Sequence, residues 1–122
     1  MRSFIVEGRF FILRLRRLIG ALEASSGLNE IEDAARPILD FIAEAECENR
    51  SLRMTDIVKV REFGTPPTVY ARLAGLQQAG WIEAVPDNED RRVRLVSLTA
   101  AARSTFARIS DEAHSLSKEV AG

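Results

Sequence analysis

The sequence predicts a mainly α-helical fold with one small β-hairpin, in a single domain that spans residues 1–122. Three observations predict it. Apolar residues recur at helical spacing near both ends of the chain. Short helical segments in the middle end at glycines. Two alternating apolar runs, separated by a polar loop, follow these segments.

The composition favours a globular protein without a membrane span. Apolar residues make up 46% of the chain and charged residues 29%. No run of about 18 uncharged apolar residues occurs. The amino-terminal stretch resembles a signal peptide superficially, but charged residues interrupt it and no cleavage pattern of small residues follows. Since the single cysteine also excludes an intrachain disulfide, we expect a cytoplasmic protein.

Candidate catalytic and metal-binding residues are sparse. Cys47 lies between two glutamates, whose charges disfavour a reactive thiolate. His114 is the only histidine, and no other ligand type stands at metal-binding spacing from it. No nucleophile–base pair or glycine-rich phosphate loop occurs. We therefore expect no enzymatic activity, no metal and no cofactor.

The net charge of −1 is unevenly distributed along the chain. Acidic side chains concentrate in residues 28–50, whereas basic ones outnumber them in residues 1–27 and 51–99. The overall charge is therefore only a weak argument against a negatively charged partner for residues 51–99.

Amphipathic helices are predicted at both ends of the chain, over residues 3–23 and 100–120. Thr99 is well placed to cap the second of them, whose apolar residues follow heptad spacing. Such stripes form either a dimer interface or an intrachain packing face, and both alternatives stay open. The residues assigned to dimerisation are Phe11, Leu15, Leu18 and Leu22 in the first helix and Phe106, Ile109, Ala113, Leu116 and Val120 in the second.

Residues 33–99 contain three further helices and the hairpin. We expect one helix from Asp33, as its N-cap, to about Glu46, with a start close before Pro37. Its predicted buried residues are Ile38, Leu39 and Ile42. The next helix is predicted to be capped by Thr55 and to end at Phe63 and Gly64, with Ile57 and Val58 turned inward.

The last of these helices follows at Thr65, a plausible N-cap, with Pro66 at the first helical position. Gly80 ends it. Its predicted buried face consists of Val69, Leu73 and Leu76. The opposite face consists of Pro67, Ala71, Ala74 and Gln78, flanked by Thr68 and Arg72.

The hairpin strands are "WIEAV" and "VRLVSLT", joined by the loop "PDNEDRR". Two short helices with a glycine-containing turn, followed at once by a hairpin, are typical of a winged helix-turn-helix. In that fold a helix enters the major groove of DNA, and arginines of the hairpin loop can reach phosphates or the minor groove. Arg91, Arg92 and Arg94 suit this role.

The stretch "GTPPTVYARLAGLQQAGWIEAVPDNEDRRVRLVSLTAAAR" resembles the recognition helix, wing and following helix of MarR-family transcriptional regulators. The matching motifs are Thr68-Val69, Leu76 to Gly80-Trp81-Ile82, Asp90-Arg91-Arg92 and Leu98-Thr99. The resemblance is strong over about residues 52–105 and looser in the flanking helices.

The resemblance implies a homodimer, built from the terminal helices, on a pseudo-palindromic site in double-stranded DNA. It also implies that Arg92 enters the minor groove and that Asp90 shapes the wing. A small-molecule effector is common in the family, although no residue of this sequence identifies its site. The predicted DNA-binding residues are Thr65, Pro66, Pro67, Thr68, Ala71, Arg72, Arg91, Arg92 and Arg94.

Two features depart from the family pattern. Ala71 and Gly75 stand where basic or polar residues are frequent, and only about one helix follows Thr99. The nearly uncharged outer face of the recognition helix predicts weak DNA binding or a narrow sequence preference. An alternative interpretation is a winged helix that binds another protein, through its acidic second helix and its terminal helices, and does not bind DNA.

Overall fold

The structure, a computed structural model, describes residues 8–121, with side chains described as far as Glu119. Five α-helices and two strands are named here in chain order. They are α1 (Phe11–Ser26), α2 (Arg36–Cys47), α3 (Met54–Val58), α4 (Pro66–Gln78), β1 (Ile82–Pro86), β2 (Arg94–Leu98) and α5 (Ala100–Ala121). The predicted fold class, mainly helical with one small hairpin, is confirmed.

The chain divides into two compact units. Residues 31–103 form the winged-helix unit, which contains α2, α3, α4 and the hairpin. The terminal unit contains α1 and the part of α5 that follows Arg103. The expectation of a single domain over residues 1–122 stays a prediction.

Helix α1 differs from its predicted bounds at both ends. The predicted start at Ser3 lies outside the described residues, and Phe10 forms a turn between helical Gly8–Arg9 and α1. The predicted end at Glu23 is wrong by three residues. The hydroxyls of Ser25 and Ser26 donate to carbonyl oxygens one turn earlier, so the two serines continue the helix. Gly27 then ends it with a φ of 88°, a conformation that glycine adopts without strain.

Helix α2 begins at Arg36, so the predicted N-cap at Asp33 is wrong. A helix capped by Asp33 would place Pro37 at its fourth position, where the backbone N–H would already donate within the helix. Starting at Arg36 puts Pro37 at the second position, where no donor is lost. The predicted buried face is confirmed: Ile38, Leu39, Ile42 and also Ala45 are at most 1% exposed.

Helix α3 is short, and the predicted cap at Thr55 is wrong. The helix begins after Arg53, whose backbone N–H donates to the carboxylate of Asp56 at 2.9 Å. This carboxylate at the third helical position therefore satisfies the backbone donor of the residue before the helix. Ile57 is fully buried as predicted, whereas Val58 is half-buried. A separate 3-10 turn, Arg61–Phe63, leads to Gly64.

The hairpin pairs β1 and β2 in antiparallel register, from Ile82 opposite Leu98 to Pro86 opposite Arg94. Val96 and Leu98 lie on one buried face of β2. A third segment, missed by the sequence analysis, pairs with β2: the backbone N–H of Val96 donates to the carbonyl oxygen of Leu52 at 2.8 Å. Arg53 also forms a bridge with Leu95. This segment, Leu52 and Arg53, has only two residues, which is too few for an alternating pattern to reveal a strand.

The predicted cap of the last helix is confirmed. The hydroxyl oxygen of Thr99 accepts a hydrogen bond from the backbone N–H of Ala102 at 3.1 Å. The same hydroxyl donates to the carbonyl oxygen of Gly80 at 2.6 Å. Thr99 therefore ties the start of α5 to the turn between α4 and β1.

Candidate nucleic-acid interface

Helix α4 presents an apolar inner face and an uncharged outer face. Val69, Leu73 and Leu76 are buried, as predicted. Thr65 takes the N-cap position, and its hydroxyl donates to the hydroxyl of Thr68 at 3.0 Å. The outer face carries no ionised side chain. Its exposed residues are Pro67, Tyr70, Ala71, Ala74 and Gln78.

Arg72 is the only basic residue of α4, and it is directed into the protein. Its Nη1 donates a hydrogen bond to the carbonyl oxygen of Phe63 at 3.0 Å. Its Nε lies 3.8 Å from a carboxylate oxygen of Glu32, and the side chain is 25% exposed. Arg72 and the residues of the outer face were predicted together as DNA contacts. The structure shows that Arg72 is not part of the exposed outer face.

The hairpin loop and Arg94, the first residue of β2, are together called the wing (residues 87–94). Two backbone hydrogen bonds close it, from Asp87 N–H to the carbonyl oxygen of Val93 and from Val93 N–H to the carbonyl oxygen of Asp90, both at 2.9 Å. Asp90 then organises the tip. One carboxylate oxygen accepts from the backbone N–H and from Nε of Arg92, both at 3.1 Å, and the other accepts from Nη2 at 3.3 Å.

These contacts change the acidity of Asp90. The side-chain hydrogen bonds of Arg92, followed by its backbone hydrogen bond and by the charge of Arg53, hold the pKa of Asp90 below its ordinary value. The carboxylate stays ionised at neutral pH and fixes the direction of an arginine side chain that is 91% exposed. Arg91 and Arg94 are exposed as well, so all three predicted wing cations face solvent.

Arg53 is a basic residue near the wing that the sequence analysis did not assign to the site. It lies in the segment that pairs with β2, its side chain is exposed, and its charge acts on Asp90. Lys59 and Arg61, on the segment between α3 and α4, are exposed too. The position of Arg53 just before the first helix of the helix-turn-helix is the signal that could have identified it. In helix-turn-helix proteins that helix lies across the DNA backbone.

The terminal unit carries the predicted dimerisation residues. Phe11, Leu15, Leu18 and Leu22 are half-buried on α1, with Phe106, Ile109 and Ala113 on α5; Leu116 is 8% exposed. The side chain of Val120 lies outside the described residues. The first turn of α1 carries exposed apolar side chains: Ile12 is 57% exposed and Leu13 is 47% exposed.

A groove of about 380 Å³ lies between α1 and α5 in the same unit. Arginines line it on α1 and glutamates on α5, with a narrow apolar floor. The lining residues are Arg14, Arg17, Leu18, Ala21, Glu112, Ser115, Leu116 and Glu119. Within residues 8–121 no cluster of three or more metal-ligand side chains forms. None of the helices in this part of the chain has the length and apolar character of a membrane span.

Comparison with known proteins identifies the fold. No family model and no curated protein matches the sequence. Among solved structures, S. aureus MepR bound to ethidium bromide is similar, with a TM-score of 0.63 and 20% identity over 94% of this chain and 79% of that one. The S. aureus MepR–DNA complex has a TM-score of 0.58 and 21% identity, covering 93% and 89% of the two chains.

A MarR-like transcription regulator from Bacillus cereus is also similar, with a TM-score of 0.53 and 15% identity over 99% of this chain and 81% of that one. At these identities the comparisons establish the fold, and it is the one that the sequence motifs indicated. This chain has the winged-helix fold of the MarR-like regulators.

The wing geometry predicts an anomalous titration of Asp90. Since its pKa is lowered in the folded protein, its contribution to stability is present above the ordinary aspartate pKa and is lost as the pH falls through the lowered folded value. We expect nuclear magnetic resonance titration of the Asp90 carboxyl carbon to give a pKa below the ordinary range.

Arg92→Met should return this pKa towards the ordinary value, because it removes the two side-chain hydrogen bonds. Arg91→Met is the matched control, since it removes a neighbouring cation that donates no hydrogen bond to Asp90 in the described wing. A normal pKa of Asp90 in the wild-type protein would contradict the wing geometry.

Proposed function

We propose that this chain, with its MarR-like winged-helix fold, is a sequence-specific DNA-binding transcriptional regulator. It binds double-stranded DNA as a homodimer, with α4 in the major groove and the wing at the minor groove. The observation that carries the proposal is the wing, whose three arginines are all exposed. The MepR–DNA complex supports it by likeness of fold. A small-molecule effector, like the ethidium of the MepR complex, is part of the proposal.

The wing provides the electrostatic part of binding. DNA carries about one negative charge per 1.7 Å of helix axis, and each neutralised phosphate releases counterions. Arg91 and Arg94 are placed to contact phosphates, whereas Arg92 enters the minor groove, where a narrow groove strengthens the negative potential. Asp90 holds Arg92 in one orientation before DNA arrives. Less side-chain freedom is then lost on binding.

Helix α4 provides the base contacts. Thr65, Pro66, Pro67 and Thr68 form its amino-terminal turn, the part that meets base edges in helix-turn-helix proteins. Ala71 continues the same surface one turn later. Small and apolar side chains permit close approach and contact thymine methyl groups, but they form few hydrogen bonds with bases. The half-site is therefore expected to be rich in thymine at the positions under α4.

The terminal unit supports a homodimer. Its apolar stripes on α1 and α5 leave side chains half-buried that a second copy could cover. The groove between these helices has arginines on one wall and glutamates on the other. A two-fold axis brings the same patch of both subunits together, so opposite charges on one patch can pair with their counterparts on the other.

A second candidate function is favoured by the outer face of α4. Tyr70 is 45% exposed, and its exposed neighbours Ala71 and Ala74 are uncharged. Aromatic residues are enriched at protein–protein interfaces, and charged residues are depleted at the interface core. A winged helix that binds another protein through this face, without DNA, would fail every DNA-binding measurement below while remaining folded.

Arg92→Ala should weaken binding to the chain's own upstream DNA and lower the salt slope. A cation in the minor groove also displaces counterions from DNA, so removing Arg92 should reduce the slope of log affinity against log salt by about one unit. Fluorescence anisotropy over a series of salt concentrations measures both quantities. Arg108→Ala, at an exposed arginine of α5 in the terminal unit, is the matched control and should retain the wild-type slope. Unchanged affinity and slope in Arg92→Ala would remove the wing from the mechanism.

Ile109→Asp should convert the dimer into a monomer. Ile109 is half-buried on the apolar stripe of α5, and a charge there would be desolvated at the proposed interface. Sedimentation at micromolar concentration should give twice the chain mass for the wild type and the chain mass for the variant. Ala107→Asp places the same charge at an exposed position of α5 and should leave the dimer intact. A wild-type protein that sediments as a monomer would exclude the dimer.

A further inference from the structure

The turn between α3 and α4 is held at a single residue, Phe63, from two sides. Its carbonyl oxygen accepts the hydrogen bond of Arg72 Nη1 at 3.0 Å, which ties it to α4. Its ring packs edge-on against Phe41 of α2, with ring centroids 5.4 Å apart and an interplanar angle of 81°. Phe63 therefore links α2, through its ring, to α4, through its carbonyl oxygen.

The residue after Phe63 fits this arrangement closely. Gly64 has a φ of 112°, which a side chain would strain, and a Cβ atom at this position would lie 3.5 Å from Nη1 of Arg72. The guanidinium group thus rests against a turn that only glycine forms without strain. Glu32, in the segment before α2, adds a nearby negative charge at 3.8 Å from Nε.

We infer that Arg72 is a positioning residue of the recognition helix and not a DNA contact. It holds α4 against the Phe63–Gly64 turn and acts on DNA affinity through the placement of the outer face. The functional part of this inference rests on the proposed DNA binding. The clamp, defined as Arg72, Phe63 and Phe41, can be tested in the free protein.

The uncharged outer face makes such a clamp important. An arginine on a flexible stem can follow a phosphate when its helix shifts. A contact between Ala71 and a thymine methyl group cannot follow such a shift, because a gap of about 0.5–1 Å already removes a quarter to a half of the dispersion attraction. A recognition helix that reads DNA by close apolar contact therefore depends on its fixed position more than a helix rich in cations does.

The first test is hydrogen exchange of the free protein with Arg72→Met, which keeps an unbranched apolar stem and removes the donors. The amides of Gly64 and Val69, which donate to Arg61 and Thr65, report on the turn and on the first turn of α4. We expect both to exchange roughly tenfold faster than in the wild type, since a hydrogen bond from a charged donor stabilises the turn. Arg61→Met, which removes a neighbouring exposed cation, is the control and should leave both rates near wild type. Unchanged exchange in Arg72→Met would overturn the clamp.

The second test is the salt dependence of DNA binding. Arg72→Met should lower affinity roughly tenfold with an unchanged salt slope, whereas Arg92→Ala should lower the slope by about one unit. A lower slope in Arg72→Met would show that Arg72 contacts a phosphate, and unchanged affinity would show that placement of α4 is unimportant; either result contradicts the inference.

Two further outcomes keep the tests separate. If the wild-type chain binds no DNA, the proposed function fails, and the exchange measurement still decides whether the clamp exists. If Arg72→Met does not fold, Phe63→Leu takes its place. That variant keeps the carbonyl oxygen and removes the edge-on ring contact, so it should weaken binding with the slope unchanged. Wild-type affinity in Phe63→Leu would then overturn the inference.

Discussion

The hydrogen bond from Arg72 to the carbonyl oxygen of Phe63 joins α4 to the turn that precedes it in the winged-helix unit. Arg72 is the only cation of α4. Because it is engaged in this contact, the outer face of the helix carries no charge. Under the proposed function, the wing must then supply the cations that a DNA-binding surface needs. The exposed Arg91, Arg92 and Arg94 meet this requirement at the hairpin.

The different roles of α4 and the wing also explain how a net charge of −1 is compatible with an anionic partner. Helix α2 holds several of the carboxylates, and some of them stabilise the fold: Glu46 accepts hydrogen bonds from Arg103, and Asp40 pairs with Arg36 at 3.0 Å. At the wing, Asp90 orients Arg92 without neutralising Arg91 or Arg94. Residues 87–94 hold three acidic and three basic side chains, so the directions in which these charges face matter more for an anionic partner than their sum.

Local signals in the sequence were sufficient for much of the fold. Gly80 ends α4 and Thr99 caps α5 as predicted, because caps and turns depend on neighbouring residues. Thr65 stands at the predicted N-cap position of α4, without a capping hydrogen bond from its side chain. Asp33 and Thr55 failed as caps because Pro37 and Asp56 set the helix starts instead. The direction of Arg72 could not be predicted, since its partner lies nine residues earlier across a turn. The same holds for the pairing of Leu52 with Val96, a contact that only the folded chain creates.

Selection of bound sequences from a random DNA pool tests recognition of DNA by a dimer most directly. The wild-type chain should enrich pseudo-palindromic sites whose half-sites lie about 10–10.5 base pairs apart, or a multiple of this distance. Thymine should be frequent at the positions read by α4. A pool without enrichment would contradict DNA recognition itself, and an enriched site without a second half would contradict binding as a two-fold dimer.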